Sequence, residues 1–573
     1  MTQELAVTTE RVDDIPILIA SAERMGVPEL LDRHFETHGG WEGISFGKTM
    51  TSWLGHILHE GDHRLSHVQE WAGERLATLG CCLGEEMRAL DLSDDRLALG
   101  LDLLGKDESW KAFEAELNGR IIRVYDLKVE RVRIDTTTGS GYWQVTEDGL
   151  FQFGHSKDHR PDLPQVKVVL SALDPLGMPV ATQVVGGSKA DDPLYISAID
   201  QVRMGVGKRG LMYIGDCKMM SLETRAYLQK GGDAYLGPFS ATEVSSEKLE
   251  RYLEPIWTGK QVLSGVKRRN ASGKLEKIAE GYECCETMTA VIDAETVSWL
   301  ERRLILHSFA HARAAERGLN GRLEKAQSAL RELTRRKQGK APFTEVEPLR
   351  LATEAILKQH DVQGLLQVQI ALQAQERHLR KYSNRPAETR TDPLLTLTVQ
   401  RNETAIQNAV RCLGWRIYGT NRPKSVLSLQ QAVLAYRDEY LVEHCFGRLK
   451  GRPLSLTPMY LQDDRRATGL IRLLSIGLRI LTLLEHQART HLQEQDTQLA
   501  GLYAGNPTRS TSRPTTEAML QAFKNIDLNV VTLQGQVYHH ITPLSKLQQR
   551  ILALLDLPTS IYTRLAADSQ NPP

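Results

Sequence analysis

Residues 132–139 read VRIDTTTG, an apolar and β-branched run that passes into Asp135, three threonines and a glycine. A short run of this kind bounded by turn residues is typical of a β-strand. Three similar runs follow, VKVVLSALD at 166–174, MPVATQVVGG at 178–187 and LMYIGD at 211–216. The first three runs are close together in the chain, as expected of antiparallel neighbours.

The segments around these runs extend the pattern. Residues 191–207 and 221–232 have the apolar spacing of helices, and residues 233–238, DAYLGP, again look like a strand. Three strands, a helix, a strand, a helix and a strand predict a mixed α/β sheet.

The rest of the chain divides by its periodicity. Residues 1–120 predict a helical N-terminal domain, and residues 121–239 contain the first part of the α/β core. Strand-like and helical pieces are mixed in 240–422, including a very long basic helix near 299–340, so this segment is interpreted as an inserted α/β domain. The core resumes in 423–500, and 501–573 form a linker and a helical C-terminal region.

Composition is that of a globular protein. The 573 residues are 41% hydrophobic, and 71 basic side chains balance 71 acidic ones. The seven cysteines form no CxxC or Cys/His spacing. No secretory signal is visible, and the apolar tract 469–485 carries Arg472 and Arg479, which favours a buried helix over a membrane span. We therefore expect a cytoplasmic protein without a membrane partner.

Zero net charge places any affinity for nucleic acid in local patches. Residues 301–340 contain eleven Lys and Arg against four Asp and Glu. Such a segment fits either a DNA-binding surface or the solvated face of a long charged helix.

Two carboxylates mark a candidate site. Asp135 ends the predicted strand RVRID, and Asp216 ends the predicted strand LMYIGD. Asp is common where strands give way to turns, but if the two strands are neighbours, both carboxylates point into one cleft. Phosphodiester chemistry with a hard cation such as Mg²⁺ needs only a few such oxygen ligands.

A predicted helix at 434–450 offers a third carboxylate. Tyr436, Glu443 and Lys450 are spaced by seven residues and so form one stripe, predicted to face solvent or a cleft. A solvated helix surface has the same pattern.

At these residues the chain resembles the bacterial insertion-sequence DDE transposases that have an insertion before the catalytic Glu. Their signature is Tyr, two residues, Arg, three residues, Glu, six residues, Lys. Tyr436, Glu443 and Lys450 fall on that spacing, whereas Glu439 occupies the Arg position. Glu439 lies one turn before Glu443 and is an alternative metal ligand. The resemblance extends to FGHSKDHRPDLPQVKV and to the tract 449–485.

The resemblance implies an RNase H-like catalytic core with an inserted domain that covers the DNA end, flanked by all-α N- and C-terminal regions. It implies that Mg²⁺, for which Mn²⁺ can substitute, is held by Asp135, Asp216 and Glu443. The residues expected to contact DNA phosphates are Tyr436, Lys450, Lys157, His159 and Arg160. Trp257 and Trp299 are candidates for stacking on an extruded base, or else are structural tryptophans.

The implied reaction is cleavage of a DNA strand by water, followed by attack of the liberated 3′-OH on target DNA. The implied partners are double-stranded DNA, as the terminal inverted repeats and the target, and a second copy of the chain in a synaptic homodimer. The helical N-terminal domain is expected to bind DNA, which would place the protein on the nucleoid.

Two other functions use the same residues. A nuclease on the same core would hydrolyse DNA without joining it, and a transposase-derived DNA-binding protein would bind the repeats without cutting. No GxSxG, P-loop or GxGxxG context supports a hydrolase, ATPase or dehydrogenase.

Overall fold

The computed structural model describes residues 5–270, 273–335, 343–379, 388–438, 440–533 and 536–567. In chain order its strands are β1 Leu5–Arg11, β2 Arg131–Ser140, β3 Gln165–Asp174, β4 Met178–Gly186, β5 Met212–Ile214, β6 Ala234–Pro238, β7 Ser264–Arg269, β8 Leu275–Ile292, β9 Glu295–Ser308, β10 Leu366–Leu379, β11 Glu388–Arg401, β12 Trp415–Thr420, β13 Leu499–Ala500, β14 Ser510–Thr511, β15 Asp527–Leu533 and β16 Gln536–Ile541.

The helices are α1 Ile15–Met25, α2 Val27–His34, α3 Phe46–Glu60, α4 Val68–Gly73, α5 Leu76–Leu83, α6 Asp94–Leu104, α7 Asp107–Val124, α8 Leu194–Val206, α9 Leu222–Lys230, α10 Ser246–Trp257, α11 Phe309–Thr334, α12 Val346–Gln359, α13 Glu403–Cys412, α14 Leu429–Arg437, α15 Tyr440–Lys450, α16 Asp464–Glu494, α17 Thr516–Gln521, α18 Lys546–Leu554 and α19 Ser560–Ala567. Two short 3-10 helices span Leu65–His67 and Ala89–Leu92.

A nine-stranded mixed sheet has the order β4-β3-β2-β5-β6-β12-β9-β8-β7. Strands β2, β3 and β4 are antiparallel neighbours, whereas β2 with β5 and β5 with β6 are parallel. The predicted mixed sheet and its three antiparallel strands are therefore confirmed. Every residue of β3 is buried, because helices and further chain cover this part of the sheet.

Helix α16 passes through the main hydrophobic core. In the described part of the chain it is the one helix long and apolar enough to cross a membrane, and 94% of its most apolar window is buried inside the protein. Its two central arginines are paired: Arg479 donates to Glu114 at 2.6 Å, and Arg472 donates to the carbonyl of Leu104 at 2.9 Å. The predicted buried helix is confirmed.

The long basic helix expected near 299–340 begins only at Phe309, because the residues before it belong to β9. This part of the prediction is wrong. Strand β9 lies between β8 and β12, and six consecutive residues, Glu301 to Leu306, are buried there. Arg302 and Arg303 are buried there and paired with Glu283 and with Glu301, which removes both from the predicted cationic surface.

Helices α11, α12 and α13 pack on the β10–β11 hairpin around a separate small core. Its buried members are Leu319, Leu323, Ala326, Leu330, Val362, Leu366 and Ile406. Within the predicted insertion, strands β7, β8, β9 and β12 extend the large sheet, and this module lies between β9 and β12 in the chain.

The regions that flank the core are not all-α, which corrects the expectation. Strand β1 pairs in antiparallel fashion with β15, which pairs with β16, so one small sheet joins the two ends of the chain. A single short strand with a partner more than 500 residues away has no local signal that distinguishes it from a loop.

Candidate active site

The parallel pairing of β2 with β5 brings Asp135 and Asp216 together. Arg133 on β2 lies opposite Ile214 on β5. Asp135 is two residues after Arg133, and Asp216 is two residues after Ile214. Strand β5 ends at Ile214, so beyond that point β2 pairs with β3 alone. Asp135 therefore lies within β2 and not at its end as predicted, and the edge of β2 that faces Asp216 is open.

Gly215 permits this approach. A Cβ atom at position 215 would lie 2.7 Å from Sδ of Met219 and 3.3 Å from the carbonyl oxygen of Ile134. A side chain there would push β5 away from β2 or displace the turn that carries Asp216.

Burial raises the pKa of Asp135, and the negative charge of Asp216 acts in the same direction. The ammonium of Lys157 and the backbone N–H of Thr136, which donates to Oδ1 at 2.7 Å, oppose this rise. The parallel pairing of β2 with β5 thus brings two like charges into one site, an arrangement that a cation between them would stabilise.

Asp216 is oriented through one oxygen. Its Oδ1 accepts hydrogen bonds from the hydroxyl of Tyr195 at 2.7 Å and from the backbone N–H groups of Lys218 and Met219 at 2.9 and 3.4 Å. Burial and the adjacent Asp216 raise the pKa of Tyr195 well above its ordinary value, so this phenol remains a donor. Tyr195 was not singled out from the sequence, because a tyrosine on a core-facing helix carries no distinctive signal.

Lys157 lies directly over the first carboxylate. Its Nζ donates to the carbonyl oxygen of Thr136 at 2.5 Å and to the hydroxyl of Thr136 at 2.6 Å, and lies 3.4 Å from Oδ1 of Asp135. The predicted phosphate contact of Lys157 is therefore replaced in this structure by contacts with the protein's own oxygens.

The predicted helix at 434–450 is two helices, α14 and α15. Tyr436 lies in α14, is 7% exposed and packs on Tyr418 with ring centroids 4.8 Å apart. The prediction that Tyr436 shares one outward stripe with Glu443 and Lys450 is wrong, because Tyr436 is buried and belongs to α14, which ends at Arg437. Glu439 lies outside the described residues.

Glu443 is exposed on α15, and that helix packs against β2. Lys450, at the end of α15, forms an ion pair with Asp158, with Nζ and Oδ1 2.5 Å apart. Among the described residues no three or more His, Cys, Asp or Glu side chains are grouped closely enough to hold a metal ion. The structure therefore brings Asp135 and Asp216 together and leaves Glu443 apart from them.

Arg133 connects the sheet to α14. It has the same side-chain parity on β2 as Asp135, and its guanidinium donates to the carbonyl oxygens of Ala435 at 2.6 Å and Tyr436 at 3.4 Å. These contacts hold the end of α14 over the sheet beside the first carboxylate. In the sequence this arginine looked like part of an ordinary strand.

Of the other predicted DNA contacts, two are exposed on the segment that carries Lys157, and Trp299 is buried. His159 is exposed with φ of +57°, and Arg160 is exposed and paired with Asp162 at 2.8 Å. Trp299 is buried and donates to the hydroxyl of Tyr235 at 2.7 Å, so its ring is not available to stack on a base.

Trp257 is half-buried, with the guanidinium of Arg411 3.9 Å from its ring centroid. One face of this ring is therefore already covered by a cation from α13.

Two carboxylates on paired parallel strands fit a hard divalent cation. Mg²⁺ in proteins is commonly held by one or two carboxylates, with water and substrate phosphates as its other ligands. Asp135 and Asp216 supply that set.

No protein-family model matches the chain, and no curated protein matches it in sequence. Among solved structures, it is similar to the piggyBac transposase in a cryo-EM structure of that transposase's synaptic complex with hairpin DNA. The similarity covers 89% of this chain and 77% of the other, with 8% sequence identity and a TM-score of 0.31. A TM-score this low does not establish a shared fold.

Proposed function

We propose that the protein is a DNA transposase that cuts and joins the ends of a mobile element with the help of Mg²⁺. The observation that carries the proposal is the juxtaposition of Asp135 and Asp216 on the parallel neighbours β2 and β5. These are the two aspartates that the resemblance to insertion-sequence transposases assigns to the metal.

We also propose that β4-β3-β2-β5-β6 is an RNase H-like core. Three antiparallel strands followed by two parallel ones support this assignment, with the first carboxylate on the central strand β2. Strands β7, β8, β9 and β12 would then be an extension of that core.

The division of roles follows from the contacts. Asp135 and Asp216 would hold the cation, and Tyr195 would keep Asp216 oriented through Oδ1. When bound, divalent cations activate the attacking oxygen and neutralise charge that develops on the phosphate. Lys450 would hold a DNA phosphate as a point charge, and His159 and Arg160 would make further contacts with the DNA backbone.

Glu443 would complete the ligand set in the complex with DNA. Its helix already contacts β2, and the Lys450–Asp158 ion pair ties the end of that helix to the loop beside Asp135. The substrates in this proposal are double-stranded terminal repeats and target DNA, and two copies of the chain would hold two ends together.

The test is cleavage and joining of a labelled duplex that carries the repeats flanking the gene, with Mg²⁺ or Mn²⁺ present. Asp135→Asn, Asp216→Asn and Glu443→Gln should each lower both rates by about a hundredfold or more, because each removes a metal ligand. Glu439→Gln should retain activity. Loss of activity in Glu439→Gln with retention in Glu443→Gln would reassign the third ligand.

A second candidate is a DNA-binding protein without catalysis, which the separation of Glu443 from the two aspartates favours. It predicts binding of the terminal repeats with no Mg²⁺-dependent cleavage in the wild type. Cleavage without joining in the same assay would instead identify a nuclease.

A further inference from the structure

Residues 156–160, here called the strap, contact both β2, beside Asp135, and the end of α15. Two consecutive side chains of the strap, Lys157 and Asp158, have opposite charges and opposite partners. Lys157 lies against Asp135 and Thr136, and Asp158 is paired with Lys450. In each contact, a charged group of the proposed site is neutralised by a side chain of the strap.

We infer that Lys157 and Asp158 occupy, respectively, the cation position and the phosphate position of one composite site, whose ligand is a phosphodiester accompanied by a divalent metal ion. The inference rests on the proposed function. It adds the positions at which the two charges of the ligand bind and the side chains that they displace.

The cation position is defined by three oxygens. The ammonium of Lys157 is within 2.6 Å of both oxygens of Thr136 and 3.4 Å from the Asp135 carboxylate. Carboxylate, carbonyl and hydroxyl oxygens are ligands that hard divalent cations also prefer. If a metal ion bound Asp135 while Lys157 kept its present place, two cations would share one carboxylate, and their mutual repulsion favours release of the lysine.

The anion position is defined by Lys450. Its Nζ lies 2.5 Å from a carboxylate oxygen of Asp158, and both side chains are about a quarter exposed, at 23% and 30%. A carboxylate and a phosphate oxygen make the same charge-assisted hydrogen bond to an ammonium. A DNA phosphate would therefore compete with Asp158 for Lys450, because the two anions repel each other.

The backbone of the strap is held by other groups. The N–H of Lys157 donates to the hydroxyl of Thr138 at 3.0 Å, and the buried hydroxyl of Ser156 accepts from the N–H groups of Asp158 and Arg160, each at 3.2 Å. None of these bonds uses the charged groups of Lys157 and Asp158. Each of the two side chains can therefore leave its present partner by rotation, without movement of the strap backbone.

The first test measures the chemical accessibility of Lys157. Full-length protein is acetylated briefly without metal and with Mn²⁺, and labelling of each lysine is quantified by mass spectrometry. Lys157 should be labelled slowly without metal and at least about threefold faster with saturating Mn²⁺, because displacement frees its ammonium. Lys111, on α7 and paired with Glu108, serves as the internal standard and should not change.

Calorimetric titration with Mn²⁺ separates the two possible failures. If the protein binds no Mn²⁺, the proposed metal site itself is wrong. If Mn²⁺ binds and the labelling of Lys157 stays constant or falls, the proposed function stands and the displacement is wrong. Lys157→Met should bind Mn²⁺ more tightly than wild type, with Lys111→Met unchanged.

The second test concerns the phosphate position. Binding of a short random-sequence duplex without metal should be several-fold tighter for Asp158→Asn than for wild type, because Lys450 is freed. Asp293→Asn is the matched control, since it removes the same charge at an exposed position and its partner Lys230 keeps a second carboxylate, Glu295. Equal gains in both variants would mean that net charge alone accounts for the effect, and would overturn the inference.

Discussion

Tyr195 and Tyr213 are two fully buried tyrosines close to the site that differ in one hydrogen bond. The hydroxyl of Tyr195 donates to Asp216, whereas that of Tyr213, on β5, has no partner among the described residues. A residue that orients a metal ligand contributes to metal affinity. A buried hydroxyl without a hydrogen-bond partner makes no such contribution to metal affinity.

Tyr195→Phe should therefore weaken Mn²⁺ binding by about tenfold or more, because Asp216 loses the donor that fixes Oδ1. Tyr213→Phe should leave Mn²⁺ affinity unchanged and leave stability equal or slightly higher. Calorimetric titration of both variants checks this. Equal affinities for Tyr195→Phe and wild type would show that the backbone N–H groups suffice to orient Asp216.

His56, on α3, links stability to pH. Burial lowers its pKa from 6.5 to about 4, and its ring packs edge-on against Trp71 with centroids 5.1 Å apart. Since the folded state disfavours the charged ring, this contribution to stability is complete above pH 6.5 and is lost as the pH falls towards 4.

His56→Phe removes that titration. Between pH 6.5 and 4 the stability of the wild type relative to the variant should fall by about 1.4 kcal/mol for each pH unit. Urea unfolding followed by circular dichroism at pH 7, 6 and 5 measures the difference. Parallel pH profiles for the two proteins would exclude a depressed pKa for His56.

At the scale of elements, close packing of α16 on α6 depends on one glycine. A Cβ at Gly469 would lie 2.2 Å from the carbonyl oxygen of Leu101, so one of the two helices would have to move. Gly447 in α15 is the opposite case, with nothing within 4 Å of a Cβ at that position.

Gly469→Ala should lower the free energy of unfolding by about 1–3 kcal/mol through overpacking. The matched Gly447→Ala should raise it by about 0.5–1 kcal/mol, because alanine loses less backbone entropy in a helix. Thermal denaturation of both variants tests the pair. A stabilising Gly469→Ala would mean that α16 and α6 separate at little cost.

The whole molecule contains a module whose two ends meet. The backbone N–H of Ser308 donates to the carbonyl oxygen of Gly414 at 2.9 Å, and His307 pairs with Trp415 in the sheet. The intervening α11, α12, α13, β10 and β11 have their own hydrophobic core. At its base the module contacts the sheet through α11, and the Arg411 guanidinium of α13 lies over Trp257 of α10.

Replacing residues 310–412 by a short Gly-Ser turn should leave a protein that unfolds cooperatively and still binds Mn²⁺, since β9 and β12 remain neighbours. DNA joining should be strongly reduced if the module covers the DNA end. Size-exclusion chromatography, circular dichroism and Mn²⁺ titration test the folding claim. An aggregated product, or a folded one that has lost Mn²⁺ binding, would show that the module supports the core.

Local patterns were sufficient for much of the fold. Alternating and apolar runs predicted strands β2 to β6, and continuous apolar character with two arginines predicted the buried α16. These features follow from the sequence alone because each residue's environment repeats with the period of its own strand or helix. The two aspartates could also be chosen this way, since each follows an apolar run in the same manner.

What the sequence alone could not determine involves partners far apart in the chain. The register that aligns Asp135 with Asp216, the ion pairs of Lys157 and Asp158, and the burial of Trp299 all depend on contacts between distant elements. The same holds for β1, whose partner strand is at the other end of the chain. Only tertiary packing decides such contacts, because the periodicity of a segment defines which of its faces is apolar but not which distant segment covers that face.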